Sequence, residues 1–161
     1  MQPASQPTKQ PFLQPATSAD LETLLDFSRR LNEEDPSFTG DFHFDQTAVR
    51  AALEQLLAEP SLGRVWLISV EERPVGYAVL TYGFSLESHG RDALIDEIYL
   101  LADYRGRGIG RWVLQQMEAE ARAGGAVRLY LEVERPNNRA QTFYQRLGFT
   151  NHNRYLLSKW I

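Results

Sequence analysis

The sequence predicts an α/β (α+β) domain in which four helices flank a mixed, mostly antiparallel sheet. Some segments alternate apolar and polar residues, as strands do, and others repeat apolar residues every three or four positions, as helices do. These segments follow one another as strand, two helices, three strands, helix, strand, helix and strand, an order typical of a mixed sheet. With 161 residues, 43% of them hydrophobic, the chain can bury one core. We therefore predict a single domain over 11–161.

The elements of the first half are indicated by short apolar stripes and turn signals. Thr17 and Asp20 resemble a capping box at the start of the first helix. The turn Glu71–Pro74 separates two apolar runs and predicts a hairpin. The predicted elements are a strand over 12–15, helices over 18–32 and 46–58, and strands over 65–70 and 75–84.

The second half shows the clearest periodicity. One helix is predicted by apolar residues at intervals of four, and it ends before Gly124 and Gly125. The segment 126–134 alternates apolar and polar residues strictly, which predicts a strand. The apolar stripe of the helix consists of Ile109, Val113, Met117 and Ala121. The remaining predicted elements are a strand over 93–101, a helix over 137–147 and a strand over 155–161.

The segment Tyr104–Gly110 joins a predicted strand to a predicted helix and contains three glycines and two arginines. A glycine-rich turn at a helix start presents free backbone N–H groups at the positive end of the helix dipole, which favours an anion. It is not a P-loop, because no lysine and hydroxyl residue follow Gly110. It is not a dinucleotide fingerprint either, because Arg111 stands where the third glycine would be. We predict a site for a diphosphate.

Composition excludes several classes of function. A net charge of -4 argues against nucleic acid as the main partner. The absence of cysteine excludes disulfides and indicates a reducing compartment, so we expect a cytoplasmic protein. We expect no membrane span, and residues 1–10 are predicted to form a disordered tail. We expect no metal, because the three histidines lack ligand spacing: His43, His89 and His152.

Two motifs resemble those of the GCN5-related N-acetyltransferase (GNAT) family. The first, Arg/Gln-x-x-Gly-x-Gly, matches Arg105, Gly108 and Gly110. The second lies downstream and is matched in full by Asn137, Ala140, Phe143, Tyr144, Arg146, Gly148 and Phe149. The resemblance implies the GNAT fold, with a sheet of six to seven strands that splays open at its centre. The opening would lie between 95–100 and 129–133, with pantetheine in the gap.

The resemblance also implies acetyl-CoA as co-substrate and assigns residues to it. The N–H groups from Arg105 to Gly110, with Arg111 next in line, would hold the diphosphate. The main chains of Ile98 and Leu100 would bond pantetheine, and Asn137 would meet its arm or order the preceding loop. The full set implied for the cofactor is Ile98, Tyr99, Leu100, Arg105, Gly106, Arg107, Gly108, Ile109, Gly110, Arg111, Asn137 and Ala140.

Acyl transfer to an amine needs a base for the ammonium and an acid for the departing thiolate. The resemblance assigns the acid to Tyr144, although an ordinary core aromatic would fit the same helical stripe. Three carboxylates are candidates for the base, in the order Asp96, Glu97 and Glu132. Strand alternation sends Asp96 and Glu97 to opposite faces unless a bulge intervenes, so we expect only one to face the cleft. Each of the three carboxylates could equally serve as a solvated charge on a strand face or as one partner of an ion pair.

The acceptor is indicated only by the acidic loop Glu33–Asp45, whose five carboxylates would attract a cation. A solvated linker explains them equally well. A small cationic primary amine is the leading prediction, and a protein N-terminal or lysine amino group is the alternative. A non-catalytic acyl-CoA-binding module is the alternative of another class. Homodimerisation, or a place in the core, would explain the C-terminal residues Tyr155, Leu156, Leu157 and Trp160.

Overall fold

The computed structural model describes residues 10–34 and 44–161. Contacts divide the chain into a larger unit that ends at Leu131 and a smaller unit, Glu132–Ile161. The predicted tail lies outside the described residues except for Gln10. The middle of the acidic loop, 35–43, also lies outside them.

The larger unit is built on a five-stranded sheet with strand order β1-β2-β3-β4-β5. The first four strands pair antiparallel, and β5 pairs parallel to β4. This confirms the predicted class, a mixed and mostly antiparallel sheet, with five strands among the described residues instead of six to seven. Its elements are β1 (Pro11–Pro15), α1 (Leu21–Glu34), α2 (Gln46–Ala58), β2 (Gly63–Val70), β3 (Arg73–Ser85), β4 (Gly90–Leu100), α3 (Ile109–Ala123) and β5 (Ala126–Tyr130).

Side chains at the helix starts satisfy backbone groups that have no intrahelical partner. The N–H of Thr17 donates to the carboxylate of Asp20 at 2.8 Å, as the predicted capping box requires, and a short 3-10 turn precedes α1. The carboxylate of Asp45 accepts from the N–H groups of Thr47 and Ala48 at 2.9 and 3.1 Å. Both helix starts are therefore specified locally.

Both faces of the central sheet are covered, because successive residues along β2 and β3 are buried. On one face, Phe27 of α1 packs against the rings of Tyr77 and Tyr99, with centroids 6.2 and 5.8 Å away. Helix α3 contacts β1, β3 and β4, and we assign it to the other face. The apolar stripe predicted for α3 is confirmed, because Ile109, Val113, Met117 and Ala121 are all buried.

The smaller unit contains α4 (Asn138–Arg146) and no other helix or strand. The strand predicted over 126–134 ends at Tyr130, and the strand predicted over 155–161 is wrong. Alternation describes only one chain segment, whereas a strand requires a neighbour to pair its backbone groups. The alternative that the C-terminal apolar residues lie in the core is also wrong, because all of them are exposed: Tyr155, Leu156, Leu157 and Trp160.

Candidate functional site

The predicted phosphate loop connects β4 to α3 through backbone conformations that favour glycine. Gly106 and Gly108 have φ angles of +73° and +83°. A Cβ atom at either position would meet nothing within 4 Å. The backbone conformation, and not crowding, therefore accounts for both glycines. Gly108 is the residue immediately before the first turn of α3.

The loop presents a run of six N–H groups, from Gly106 to Arg111, that have no hydrogen-bond partner among the described residues. The run begins one residue later than predicted, because the N–H of Arg105 donates to the carbonyl of Ala102 at 3.1 Å. It ends where Trp112 donates to the carbonyl of Gly108, also at 3.1 Å. Unpaired N–H groups at the positive end of a helix dipole form an anion site.

The three arginines between positions 105 and 111 differ in what they contact. Arg107 lies over the ring of Tyr104, with its guanidinium carbon 5.7 Å from the ring centroid. Among the described residues, neither Arg107 nor Arg111 has a hydrogen bond or ion pair. The Arg105 side chain, in contrast, donates to the carbonyl of Leu100 at 2.7 Å and to a carboxylate oxygen of Glu34 at 2.5 Å.

One edge of β4 loses its strand partner halfway along. Pairing with β5 extends only to Leu94, opposite Tyr130, while pairing with β3 continues to Leu100. The N–H of Leu101 donates to the carbonyl of Val75 on the β3 side. By strand alternation, the N–H and C=O groups of Ile98 and Leu100 therefore point to the open edge. This is the edge where the resemblance places the pantetheine.

A β-bulge at Asp96 changes which face its carboxylate occupies. Ile95 and Ile98 pair with Leu80 and Ala78, two residues on the same face of β3. The two residues between them, Asp96 and Glu97, must therefore share the opposite face, which is the face of Tyr77. The expectation that alternation separates these two carboxylates is wrong, because the bulge inserts one residue into β4.

The two carboxylates experience different local environments. Glu97 accepts a hydrogen bond from the hydroxyl of Tyr77 at 2.5 Å. Burial raises the pKa of Glu97, the hydrogen bond from Tyr77 lowers it, and the charge of Asp96 raises it further. Asp96 keeps contact with solvent, yet partial desolvation raises its pKa also. Raised carboxyl pKa values suit bases that work near neutral pH.

Tyr77 is fully buried in the core beneath these carboxylates. Burial and the charge of Glu97 raise its pKa, so the phenol stays protonated and acts as a donor. Ser28 of α1, itself 6% exposed, interacts with the same phenol and lowers its pKa. A carboxylate at the bulge is thus linked through Tyr77 to helix α1.

Sequence reasoning missed Tyr77 and Ser28, and it placed Glu34 in the acidic acceptor loop, whereas Glu34 ends α1 and bonds to Tyr99 and Arg105. The signal for Tyr77 was available, since it carries the only polar side chain of the apolar run 75–80, and a buried hydroxyl requires a partner. No local signal marks Glu34, whose partners Tyr99 and Arg105 lie 65 and 71 residues further along the chain.

The remaining predicted residues belong to the smaller unit. The amide oxygen of Asn137 accepts from the N–H of Ala140 at 3.0 Å, so Asn137 caps α4. Tyr144 lies between the rings of Phe143 and Phe149, at centroid distances of 5.3 and 5.8 Å. Burial raises the pKa of Tyr144, which keeps its hydroxyl protonated at neutral pH. The third candidate for the base, Glu132, is exposed.

Metal sites and membrane spans were also sought in residues 10–34 and 44–161. Within these ranges, no three side chains of the ligating types cluster closely enough to hold a metal ion. Within the same ranges, no helix combines the length and the apolar character needed to cross a membrane.

Comparison with known proteins identifies the family. The model of the acetyltransferase (GNAT) family matches residues 25–149. The chain therefore belongs to the GNAT family, as its two motifs predicted. The match spans the phosphate loop, the open edge of β4 and helix α4.

Individual relatives agree with this assignment. An uncharacterised N-acetyltransferase of Mycobacterium tuberculosis is 39% identical over 77 residues, which is 48% of this chain and 46% of that protein. Thialysine N-epsilon-acetyltransferase of Bos taurus is 33% identical over 86 residues, 51% of each. The chain thus aligns with about half the length of these curated relatives.

Solved structures extend the similarity to nearly the whole chain. An integron cassette protein from the mobile metagenome of Cole Harbour Salt Marsh superposes with a TM-score of 0.78 and 30% identity, covering 92% of this chain and 90% of that one. An aminoglycoside N-acetyltransferase in complex with CoA has a TM-score of 0.77 and 15% identity, covering 96% and 97%. The second likeness shows the fold alone.

Proposed function

We propose that this protein transfers the acetyl group of acetyl-CoA to a primary amine by direct attack in a ternary complex. The observation that carries the proposal is the run of unpaired N–H groups from Gly106 to Arg111, which follows directly on the open edge of β4. The run supplies donors for a diphosphate, and the edge supplies donors and acceptors for the amides of pantetheine. Acetyl-CoA contains both a diphosphate and an amide-bearing arm, and it fits membership of this family.

The ammonium form of the acceptor must lose two protons, one before the attack and one as the amide forms, and the leaving thiolate must gain one. The amine nitrogen, once deprotonated, attacks the thioester carbonyl carbon, the C–N bond forms, the C–S bond breaks and CoA leaves as a thiolate. Asp96 is our first choice as base, because its carboxylate has a raised pKa and no hydrogen bond within the described residues. Glu97 is the second choice, since Tyr77 already occupies one of its oxygens.

We assign protonation of the thiolate to Tyr144, by resemblance to the family motif in which it stands. Support from the structure is limited to its raised pKa, which keeps the phenol available as a donor. The phosphate-binding side chains would be Arg107 and Arg111, the two arginines near the start of α3 that have no hydrogen bond or ion pair in the described part of the chain.

A small cationic amine is our proposed acceptor. The similarity to a thialysine N-epsilon-acetyltransferase supports a small amine of this kind. The carboxylates at the bulge would attract a positive charge to the site. A protein amino group is the alternative acceptor. We also propose that the protein is a soluble, cytoplasmic homodimer.

The test is a thiol-release assay with acetyl-CoA and a panel of polyamines, aminoglycosides, amino acids and peptides. We expect turnover with at least one small amine and a loss of about 10²–10⁴ in kcat for Asp96→Asn, the range typical of a general base. Tyr144→Phe tests the acid, and equal rates for this variant and the parent would remove Tyr144 from that role. Tight acetyl-CoA binding without turnover on any amine would favour the non-catalytic binding module instead.

A further inference from the structure

We propose that the side chain of Arg105, the first residue of the loop motif, is a positioning residue that sets the register of the pantetheine arm on β4, and is not a phosphate ligand. The inference rests on the proposed function, because it concerns how acetyl-CoA is held. It concerns a single guanidinium whose two hydrogen-bond acceptors belong to the protein itself, the carbonyl of Leu100 and the carboxylate of Glu34.

Arg105 is held by two acceptors at once. Its Nε donates to the carbonyl of Leu100 at 2.7 Å, and its Nη2 donates to Oε2 of Glu34 at 2.5 Å. The other oxygen of Glu34 accepts from the hydroxyl of Tyr99 at 2.7 Å. The guanidinium carbon also lies 5.3 Å from the Tyr99 ring centroid. Three contacts therefore fix the orientation of this side chain, with Leu100, Glu34 and the Tyr99 ring, a geometry that the planar fork of arginine can satisfy and lysine cannot.

The carbonyl that Arg105 engages lies on the open edge of β4. The N–H of Leu101 points towards β3, where it donates to Val75, so the C=O of Leu100 in the same peptide unit points the opposite way. Without Arg105, the open edge would offer both groups of Ile98 and both groups of Leu100. With Arg105 in place, one lone pair of the Leu100 carbonyl is occupied, and the free groups of this edge are both groups of Ile98 and the N–H of Leu100.

The charge of Arg105 is compensated by the carboxylate of Glu34, with both side chains partly exposed. The hydrogen bond from Arg105, followed by that from Tyr99, lowers the pKa of Glu34. A phosphate would have to displace a carboxylate that already has good geometry. Arg107 and Arg111 have no such partner among the described residues, so they are the cations that a diphosphate can recruit.

Two ligands separate the roles, acetyl-CoA and S-acetylpantetheine, which carries the same thioester and amides without the diphosphate. Affinities are measured by calorimetry, or by chemical-shift titration for the weaker ligand. If Arg105 positions the arm, Arg105→Gln weakens both ligands by a similar factor, about tenfold for the loss of one charge-assisted contact. Arg107→Gln is the matched control, and it weakens acetyl-CoA alone.

Further variants distinguish positioning from charge. Arg105→Lys keeps the charge but cannot bridge both acceptors, so it behaves like Arg105→Gln. Glu34→Gln weakens both ligands as well, and the Arg105→Gln/Glu34→Gln pair is much less than additive, because the two residues act as one unit. The unfolding midpoint of each variant shows that it folds.

A carbonyl ¹³C label at Leu100 gives a readout that a merely structural role would not move. In the parent, S-acetylpantetheine leaves this signal unchanged, whereas in Arg105→Gln the ligand shifts it, because the carbonyl is now free to accept. A loss of affinity for acetyl-CoA alone in Arg105→Gln, with rescue by Arg105→Lys, would overturn the inference and leave the proposed function intact. A parent protein that binds neither ligand would overturn both.

Discussion

Tyr77→Phe removes one buried hydroxyl from beneath the candidate base and is expected to destabilise the protein in a pH-dependent way. The lost donor serves Glu97 at 2.5 Å, in a position that is fully buried. A hydrogen bond to a charged group contributes about 1.5–3 kcal/mol, and one between neutral groups about 0.5–1.5 kcal/mol. We therefore expect a cost of about 2 kcal/mol when Glu97 is ionised and about 1 kcal/mol when it is protonated.

The sign of the pH dependence follows from the pKa of Glu97. Burial already raises this pKa in the folded protein, and the Tyr77 hydroxyl opposes that rise. Removing the hydroxyl raises the folded-state pKa further, so the folded variant binds its proton more strongly than the unfolded chain does. The stability of the variant therefore falls further than that of the parent as the pH increases above the pKa of Glu97 in the unfolded chain.

Urea unfolding at pH 5 and pH 8 measures the difference. The cost of Tyr77→Phe is expected to be larger at pH 8 by about 1 kcal/mol. In a Glu97→Gln background the same substitution should cost equal amounts at both pH values, since the titrating carboxyl is gone. Equal costs at pH 5 and pH 8 in the parent background would refute the assignment of Tyr77 as the donor that controls Glu97.

Three further predictions concern single positions. Gly108→Val is expected to abolish acetyl-CoA binding, because φ is +83° at this position, and to leave the domain folded, because nothing lies within 4 Å of the added Cβ. Gly83→Val is the control, since this position has equal space and no positive φ. Micromolar affinity of Gly108→Val for acetyl-CoA would contradict the site. Asp96→Asn is expected to raise the unfolding midpoint at pH 7 and to raise it less at pH 4. The reason is that desolvation raises the pKa of Asp96 and penalises only its ionised form. An unchanged midpoint at pH 7 would argue against a desolvated carboxylate. Glu72→Gly is expected to stabilise the fold by about 1 kcal/mol, because the two-residue turn at Glu71 and Glu72 has φ angles of +51° and +63°; a lower midpoint in thermal unfolding would count against this reasoning.

Local patterns were sufficient wherever a feature depends on neighbours in the chain. The stripe from Ile109 to Ala121 predicted both the helix and its buried face, and every residue of that stripe is buried. The glycines at 106 and 108 predicted a turn that opens a helix, and both lie directly before or at the start of α3 with positive φ. Helical periodicity and glycine conformation are properties of a short segment, so they can be recognised before the fold is known.

Features that depend on strand pairing could not be predicted in the same way. Alternation predicted strands over 126–134 and 155–161, but in the structure only the first five residues of the former form a strand, which pairs with β4. The bulge at Asp96 is a mismatch in register between β3 and β4, and neither strand alone contains a signal for it. That mismatch nevertheless decides that Asp96 and Glu97 share a face.

The sequence by itself determined the class of fold, the family and the glycine loop at the start of α3, because motifs and periodicity are local. Only the tertiary structure decided what the charged side chains do. Arg105 occupies the first position of the loop motif, yet its guanidinium bonds to Glu34, 71 residues earlier in the chain. Long-range packing brings such pairs together, and a side chain forms the bonds that the folded backbone places within its reach.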